Sequence, residues 1–228
     1  MLRYLRDLFL PRPADPAEPN LVLITRPEDS VPGELRTVRK LLTAGLARLH
    51  VRKPAWSAED HLRFLDGLPD AFWPRVVLYA HPEIVLSRGL GGLHLKSGER
   101  LPHIWPEGRP VSTSAHSFEE LLDGARRRSY SVLGPVFESI SKRNHAPRRT
   151  HREFEVILQR WRSEGGCPVF ALGGVTPETA VKAREIGFDG IAFIGCVWES
   201  DDPVRTFLDL ERAWLGGEAR RKPSKRRG

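Results

Sequence analysis

The chain has little of what would classify it at a glance. Only two cysteines, Cys167 and Cys196, occur in 228 residues. Both sit in apolar runs without Cys-x-x-Cys or Cys/His ligand spacing, which argues against a disulfide framework or a zinc site and for two buried, reduced thiols in a cytoplasmic protein. No apolar run approaches the roughly 20 residues that a bilayer span requires. The first residues carry Arg3, Arg6 and Asp7 in their only apolar stretch and lack a small-residue cleavage site, so they make a poor secretory signal. A short amphipathic helix with Leu2, Leu5 and Phe9 on one face, lying against the main domain, is expected there instead.

Negative charge is scarce at the C-terminal end only. The formal net charge is +7, but Arg220, Arg221, Lys222, Lys225, Arg226 and Arg227 face a single Glu218, so the tail holds most of it and the body is close to neutral. No aromatic residue interleaves those cations to stack on bases, so a specific nucleic-acid function is not expected and the segment reads as a solvated, disordered tail.

What the chain does have is alternation. Strand-like runs at Leu21–Thr25, Arg48–Val51, Arg75–Tyr79, Gly92–Leu95, Pro110–Thr113, Ser129–Leu133, Pro168–Leu172 and Gly190–Ile194 are interspersed with helix-like stretches at Glu34–Ala44, Ala58–Leu68, Pro82–Ser87, Phe118–Arg128, Arg152–Arg162, Pro177–Ile186 and Pro203–Trp214. Ser57 with Asp60, and Ser117 with Glu120, have the spacing of capping boxes, and Thr176-Pro177 reads as an N-cap followed by a first-turn proline. Eight such βα units in about 200 residues predict a single (β/α)8 TIM barrel. The expected organisation is an N-terminal extension over 1–19, the barrel over 20–215 and the basic tail over 216–228.

The residues with chemical character then fall just after strands, on the face where barrels of this kind place active sites. They are Arg52-Lys53, His81, Lys96, His116, the segment 134–142, Gly173-Gly174 and Gly195. The segment Gly-Pro-Val-Phe-Glu-Ser-Ile-Ser-Lys is the most telling: Ser139, Ser141 and Lys142 can turn two hydroxyls and an ammonium toward one anionic ligand. Arg143, His145, Arg148 and Arg149 make the loop strongly basic, and a loop this long in a compact barrel reads as a lid. Gly173, Gly174 and Gly195 offer bare backbone that can approach phosphate oxygens closely.

These motifs resemble, in order from about Leu21 to Trp198, those of the thiamine phosphate synthase and thiazole tautomerase family. His50-Val51-Arg52-Lys53 resembles its second-strand motif, Gly92-Leu93-His94-Leu95 its Gly-Val-His-Leu strand, Ser114-Ala115-His116-Ser117 its Ser-x-His-Ser segment, Gly134–Lys142 its Gly-Pro-Val-Phe-x-Thr-x-Thr-Lys loop, and Leu172-Gly173-Gly174-Val175 its penultimate strand end. The resemblance implies a thiamin-biosynthetic barrel that binds a thiazole phosphate at Gly173, Gly174 and Gly195, where the synthases often carry serine at the last position. It places Arg52, Ser139, Ser141 and Lys142 on the pyrimidine diphosphate side. Lys53 is offset by one residue from the family's lysine and is expected to point the other way.

The synthases' magnesium ligands are poorly matched. Tyr79-Ala80-His81 stands where they carry Asn-Asp, and only Glu99 comes near their second aspartate, so no resident metal is expected unless the chain is a synthase. His81 is equally readable as a polar helix-start residue, and His94 as a satisfied histidine of the barrel interior. His116 matches the tautomerases' proton-transferring histidine, and an imidazole can remove one proton and deliver another without a metal. The resemblance therefore favours a tautomerase, with His116 and Lys142 as its catalytic residues. Its alternatives are a synthase that joins hydroxymethylpyrimidine diphosphate to thiazole phosphate with magnesium, and a non-catalytic phosphate-binding barrel. The expected partner is a small phosphorylated heterocycle, with neither nucleic acid nor membrane, and a homodimer is compatible with the sequence.

Overall fold

The computed structural model describes residues 20–124, 128–138 and 149–216. The expected N-terminal helix and nearly all of the basic tail lie outside them. Strands β1 (Leu21–Ile24), β2 (Arg48–Val51), β3 (Val76–Leu78), β4 (Gly92–Leu95), β5 (Val111–Ala115), β6 (Tyr130–Leu133), β7 (Val169–Leu172) and β8 (Gly190–Phe193) pair in parallel, each with the next. The ring closes where Leu21, Val22 and Leu23 pair with Ile191, Ala192 and Phe193. Around it run α1 (Glu34–Thr43), α2 (Ala58–Asp66), α3 (Pro82–Ser87), α4 (Phe118–Gly124), α5 (His151–Ser163), α6 (Pro177–Ile186), α7 (Gly195–Trp198) and α8 (Pro203–Trp214). This is a (β/α)8 barrel.

Because side chains alternate across a strand, each strand feeds two separate cores. Leu23, Leu49, Val51, Leu78, Leu93 and Val111 face outward and pack under the helices. Val22, Ile24, Tyr130, Val132, Phe170 and Ala192 face the barrel axis and form a second apolar cluster. Polar residues with the same inward parity, His50, His94 and Ser112, are also buried. Helix starts behave as their spacing predicts: Ser57 and Asp60 form a reciprocal capping box, and Thr176 caps α6 with Pro177 in its first turn. Thr150 and Glu153 form another box that the sequence reading missed.

Two features bear on the mouth of the barrel. The chain passes from β4 to β5 without a helix, as the expected elements already had it, so the repetition of βα units is not strict. Trp105 and Arg109 cover the gap: the indole donates to the Arg109 carbonyl at 3.2 Å, and the guanidinium donates to the carbonyls of Val85 and Leu90 at 3.4 and 3.2 Å. The short α7 was not anticipated, and Gly195 is its first residue. No helix among the described residues is long and apolar enough to cross a membrane.

The buried histidines link stability to pH. Burial, with the nearby Arg52 charge, pushes His94 down to about 3, and burial, His94 and Arg48 push His50 well below its ordinary value. The unfolded chain therefore binds more protons than the native one below about pH 6.5, and stability is lost as pH falls from there toward the folded pKa. Each such histidine contributes up to about 1.4 kcal/mol per pH unit in that window. Urea unfolding between pH 7 and 4.5 is expected to show this slope, and His94→Gln is expected to flatten it while lowering stability at pH 7. An unchanged slope would mean that His94 does not titrate differently on folding.

Candidate active site

The carboxyl ends of the strands bring most of the candidate residues to one rim. Arg52 follows β2, its backbone held by Thr25 at the end of β1: the amide donates to the Thr25 hydroxyl at 2.9 Å and the hydroxyl donates back to the Arg52 carbonyl at 3.3 Å. The half-buried guanidinium has no hydrogen bond or ion pair among the described residues, yet its charge acts on Tyr79 and His94 in the barrel interior. An arginine without an anionic partner, aimed at a concave rim, can grip phosphate oxygens in a fork.

Lys53 does point the other way. It is 3% exposed, pairs with Glu34 at 2.7 Å and donates to the Glu28 carbonyl at 2.7 Å. Burial pushes the Glu34 carboxyl up, and the lysine pulls it back down. Lys53 thus pins the loop after β1 and does not serve as a ligand group.

His116, exposed after β5, is fixed by its neighbours. Its amide donates to Glu120 Oε2 at 3.0 Å, its carbonyl accepts from Arg149 at 2.7 Å, and its Nδ1 lies 3.0 Å from the Gly134 carbonyl. A carbonyl can only accept, so Nδ1 carries a proton, which fixes the tautomer in which the uncharged ring presents a bare Nε2. That nitrogen has no partner among the described residues and can serve as a base. Glu120 also accepts from Ser97 at 2.6 Å, which together with the His116 amide holds its carboxyl below the usual range.

Gly173 and Gly174 stand at positive φ, 98° and 61°. Their missing side chains have a packing cause that the sequence reading did not foresee. A Cβ on Gly173 would lie 2.8 Å from Pro135 Cβ, and one on Gly174 would overlap the Glu138 carbonyl and come within 2.7 Å of Phe137 Cβ. The segment after β6 runs directly alongside, with Val136 donating to Leu172 at 2.9 Å and Phe137 to Gly173 at 3.1 Å. The amides of Gly173, Gly174 and Gly195 donate to nothing among the described residues. They remain open donors at the ends of the adjacent strands β7 and β8, which is what an anion cradle requires. Ser139, Ser141 and Lys142, with Arg143, His145 and Arg148, lie outside the described residues.

A hard metal ion is not accommodated by the side chains described. Both Glu99 oxygens are engaged by Lys96, one by its amide at 2.8 Å and one by its ammonium at 3.5 Å. His81 adopts a left-handed φ of 55° at the start of α3, pairs with Glu83 at 3.2 Å and packs tilted against the His61 ring, as a helix-start residue would. Tyr79 turns into the barrel, where burial raises its phenol. Among the described residues no three His, Cys, Asp or Glu side chains converge. This donor set does not fit magnesium.

His94 is a satisfied interior histidine, its ring nitrogens 2.8 Å from Ser112 and 2.8 Å from Ser114. The sequence reading missed its company. His50 Nε2 lies 2.5 Å from the Tyr130 hydroxyl and Nδ1 3.3 Å from that of Tyr79. Strand parity was the available signal, because all of these residues share the inward face with Arg52 and His116.

The family model described as thiamine monophosphate synthase matches residues 21–197. The thiamine-phosphate synthase of Koribacter versatilis is 27% identical over 179 residues, which cover 74% of this chain and 81% of that protein. A thiamine biosynthesis bifunctional protein of Geobacter sulfurreducens is 29% identical over 133 residues, 56% of this chain, and the matched part spans only 26% of its length. The crystal structure of a thiamine phosphate pyrophosphorylase from Bacteroides thetaiotaomicron superposes with a TM-score of 0.73 at 24% identity, covering 88% of this chain and all of that one, a likeness of fold.

The glycines differ in what they tolerate. Gly174→Ala is expected to cost about 2 kcal/mol or more in urea unfolding, since φ and the Glu138 carbonyl both oppose a Cβ. Gly195→Ser, whose Cβ would meet only the Glu199 carboxylate at 3.4 Å, is expected to stay within about 0.5 kcal/mol of the parent.

Proposed function

The chain belongs to the thiamine monophosphate synthase family, and on that premise we propose that it joins a hydroxymethylpyrimidine diphosphate to a thiazole phosphate. The observation that carries this reading is the pairing of two anion-binding features on one rim. The open amides of Gly173, Gly174 and Gly195 would hold the thiazole phosphate, and the unpartnered Arg52 would hold the diphosphate across the mouth. Ser139, Ser141 and Lys142 would complete the diphosphate side. The thiazole nitrogen attacks the pyrimidine methylene carbon as the bond to the diphosphate oxygen breaks, and the electron pair leaves with pyrophosphate. Arg52 stabilises the charge that accumulates on that leaving group. Magnesium would supply further charge neutralisation in such a reaction, but the side chains of the described residues do not form its site, so no step is assigned to it.

A second reading is favoured by one observation, the bare Nε2 of His116. A base held in a fixed tautomer suits removal of a proton from the thiazole ring, the aromatising reaction that the sequence alone put first. The Koribacter versatilis relative is named a thiamine-phosphate synthase, which supports the joining reaction over it.

The test supplies both heterocyclic phosphates, with and without magnesium, and reads thiamine phosphate formation. Product is expected, and Arg52→Ala is expected to raise the KM for the diphosphate about 10- to 100-fold, the loss of one or two charge-assisted hydrogen bonds. Aromatisation of thiazole carboxylate phosphate without the pyrimidine, lost at least about 100-fold in His116→Ala, would replace this reading by the second.

A further inference from the structure

The end of β3 is where the resemblance to the synthases calls for a carboxylate-held magnesium ion, and the side chains around it carry the wrong sign. β3 lies between β2 and β4. Arg52 follows β2 and Lys96 follows β4, each continuing the inward parity of the buried histidine two residues before it, His50 or His94. Lys96 lines a cavity of about 400 Å³ with Ser114, whose hydroxyl lies 2.8 Å from the His94 ring. Three cations, Lys96, Arg100 and Arg128, line that cavity against two carboxylates, Glu99 and Glu120. Glu99 is tied to Lys96 through both oxygens, and Glu120 Oε2 is committed to Ser97 and the His116 amide. The chain after β3 reads Tyr79-Ala80-His81, without an acid, and the sequence of 139–148 contains no Asp or Glu. A divalent ion at this point would be repelled by Arg52 and Lys96, with too few oxygen donors to offset the repulsion.

We propose that protein cations take the metal's place: Lys96, across β3 from Arg52, binds the diphosphate, and the rim holds that group without a divalent ion. The inference rests on the reading that a pyrimidine diphosphate is the substrate, to which it adds a residue and from which it removes a cofactor. Lys96 is available for the task. Its side chain is 57% exposed and its ammonium lies 3.5 Å from Glu99 Oε1, a surface ion pair of the kind that holds its lysine weakly. A diphosphate offers that ammonium several charged oxygens in place of one, so Lys96 can change partners when the substrate enters. The Glu99 carboxylate stays behind, because its other oxygen accepts from the Lys96 amide at 2.8 Å. Lys96 then acts as a compact charge that swings and Arg52 as a fork. As the carbon–oxygen bond breaks, both cations answer the negative charge that collects on the departing pyrophosphate, and no proton moves.

The test titrates the full chain with inorganic pyrophosphate in a calorimeter, in EDTA or in magnesium. Binding is expected in EDTA, and magnesium is expected to leave it unchanged or weaken it, because the ion takes up charge on free pyrophosphate. Lys96→Met is expected to weaken metal-free binding about 10-fold, the loss of one charge-assisted contact. Glu99→Gln is expected to tighten metal-free binding by releasing Lys96, whereas a metal-ligand role for Glu99 predicts that binding in magnesium is lost. Binding that requires magnesium or tightens with it would overturn the inference, as would Lys96→Met without effect or no binding in either buffer. In turnover, thiamine phosphate formed in EDTA supports the inference. Thiamine phosphate formed only with magnesium sinks it and leaves the proposed function standing. Metal-free pyrophosphate binding by a protein that forms no thiamine phosphate would support the inference and sink the proposed function instead.

Discussion

A closed parallel barrel gives its inward side chains no bulk water, so every polar group placed there must be answered by another polar group of the same interior. Most of the arrangement at the mouth follows from that constraint. His50 and His94 are neutral because they are buried, and each finds hydroxyl partners within the ring, His50 as far across it as Tyr130 on β6. The apolar members Val22, Ile24, Val132 and Phe170 fill the rest of the interior. Arg52, one layer higher, stays half-buried and unanswered among the described residues.

The fold was legible because periodicity is a backbone property. Strand and helix positions came within a few residues of those observed, and Ser57, Thr176 and the inward His94 behaved as their spacing implied. Tertiary detail was not legible in the same way. No local signal reveals what covers the helix-free passage from β4 to β5, because Trp105 and Arg109 close it through partners as distant as Val85. Thr150 and Glu153 had the right spacing, but they follow directly on a run of cations that dominates the local sequence pattern.

For the site, residue type was easier to read than residue role. Gly173 and Gly174 were recognised, but their bareness answers first to the segment from Pro135 to Glu138 packed against them. Lys53 and Arg52 are adjacent in sequence and opposite in fate, one in a buried pair with Glu34 and one open at the rim. Parity separates them, and the same parity applied to β3, β5 and β6 would have exposed the interior hydroxyls. The candidate carboxylate failed for another reason: Glu99 carries the right chemistry, but the Lys96 amide and ammonium claim its two oxygens.

The seam between β1 and β8 has a consequence for how the protein comes into being. It is fastened by the Trp198 indole on the Ile24 carbonyl, 174 residues away, and by Asn20 on Asp189. During synthesis the first strand must wait, one edge unpaired, until almost the whole barrel has left the ribosome. Gly195 and its open amide arrive with the segment that makes that closure. If the rim binds the proposed phosphate, that binding is withheld from every nascent chain shorter than the closed ring, and the last turn of the barrel is also the step that completes the site.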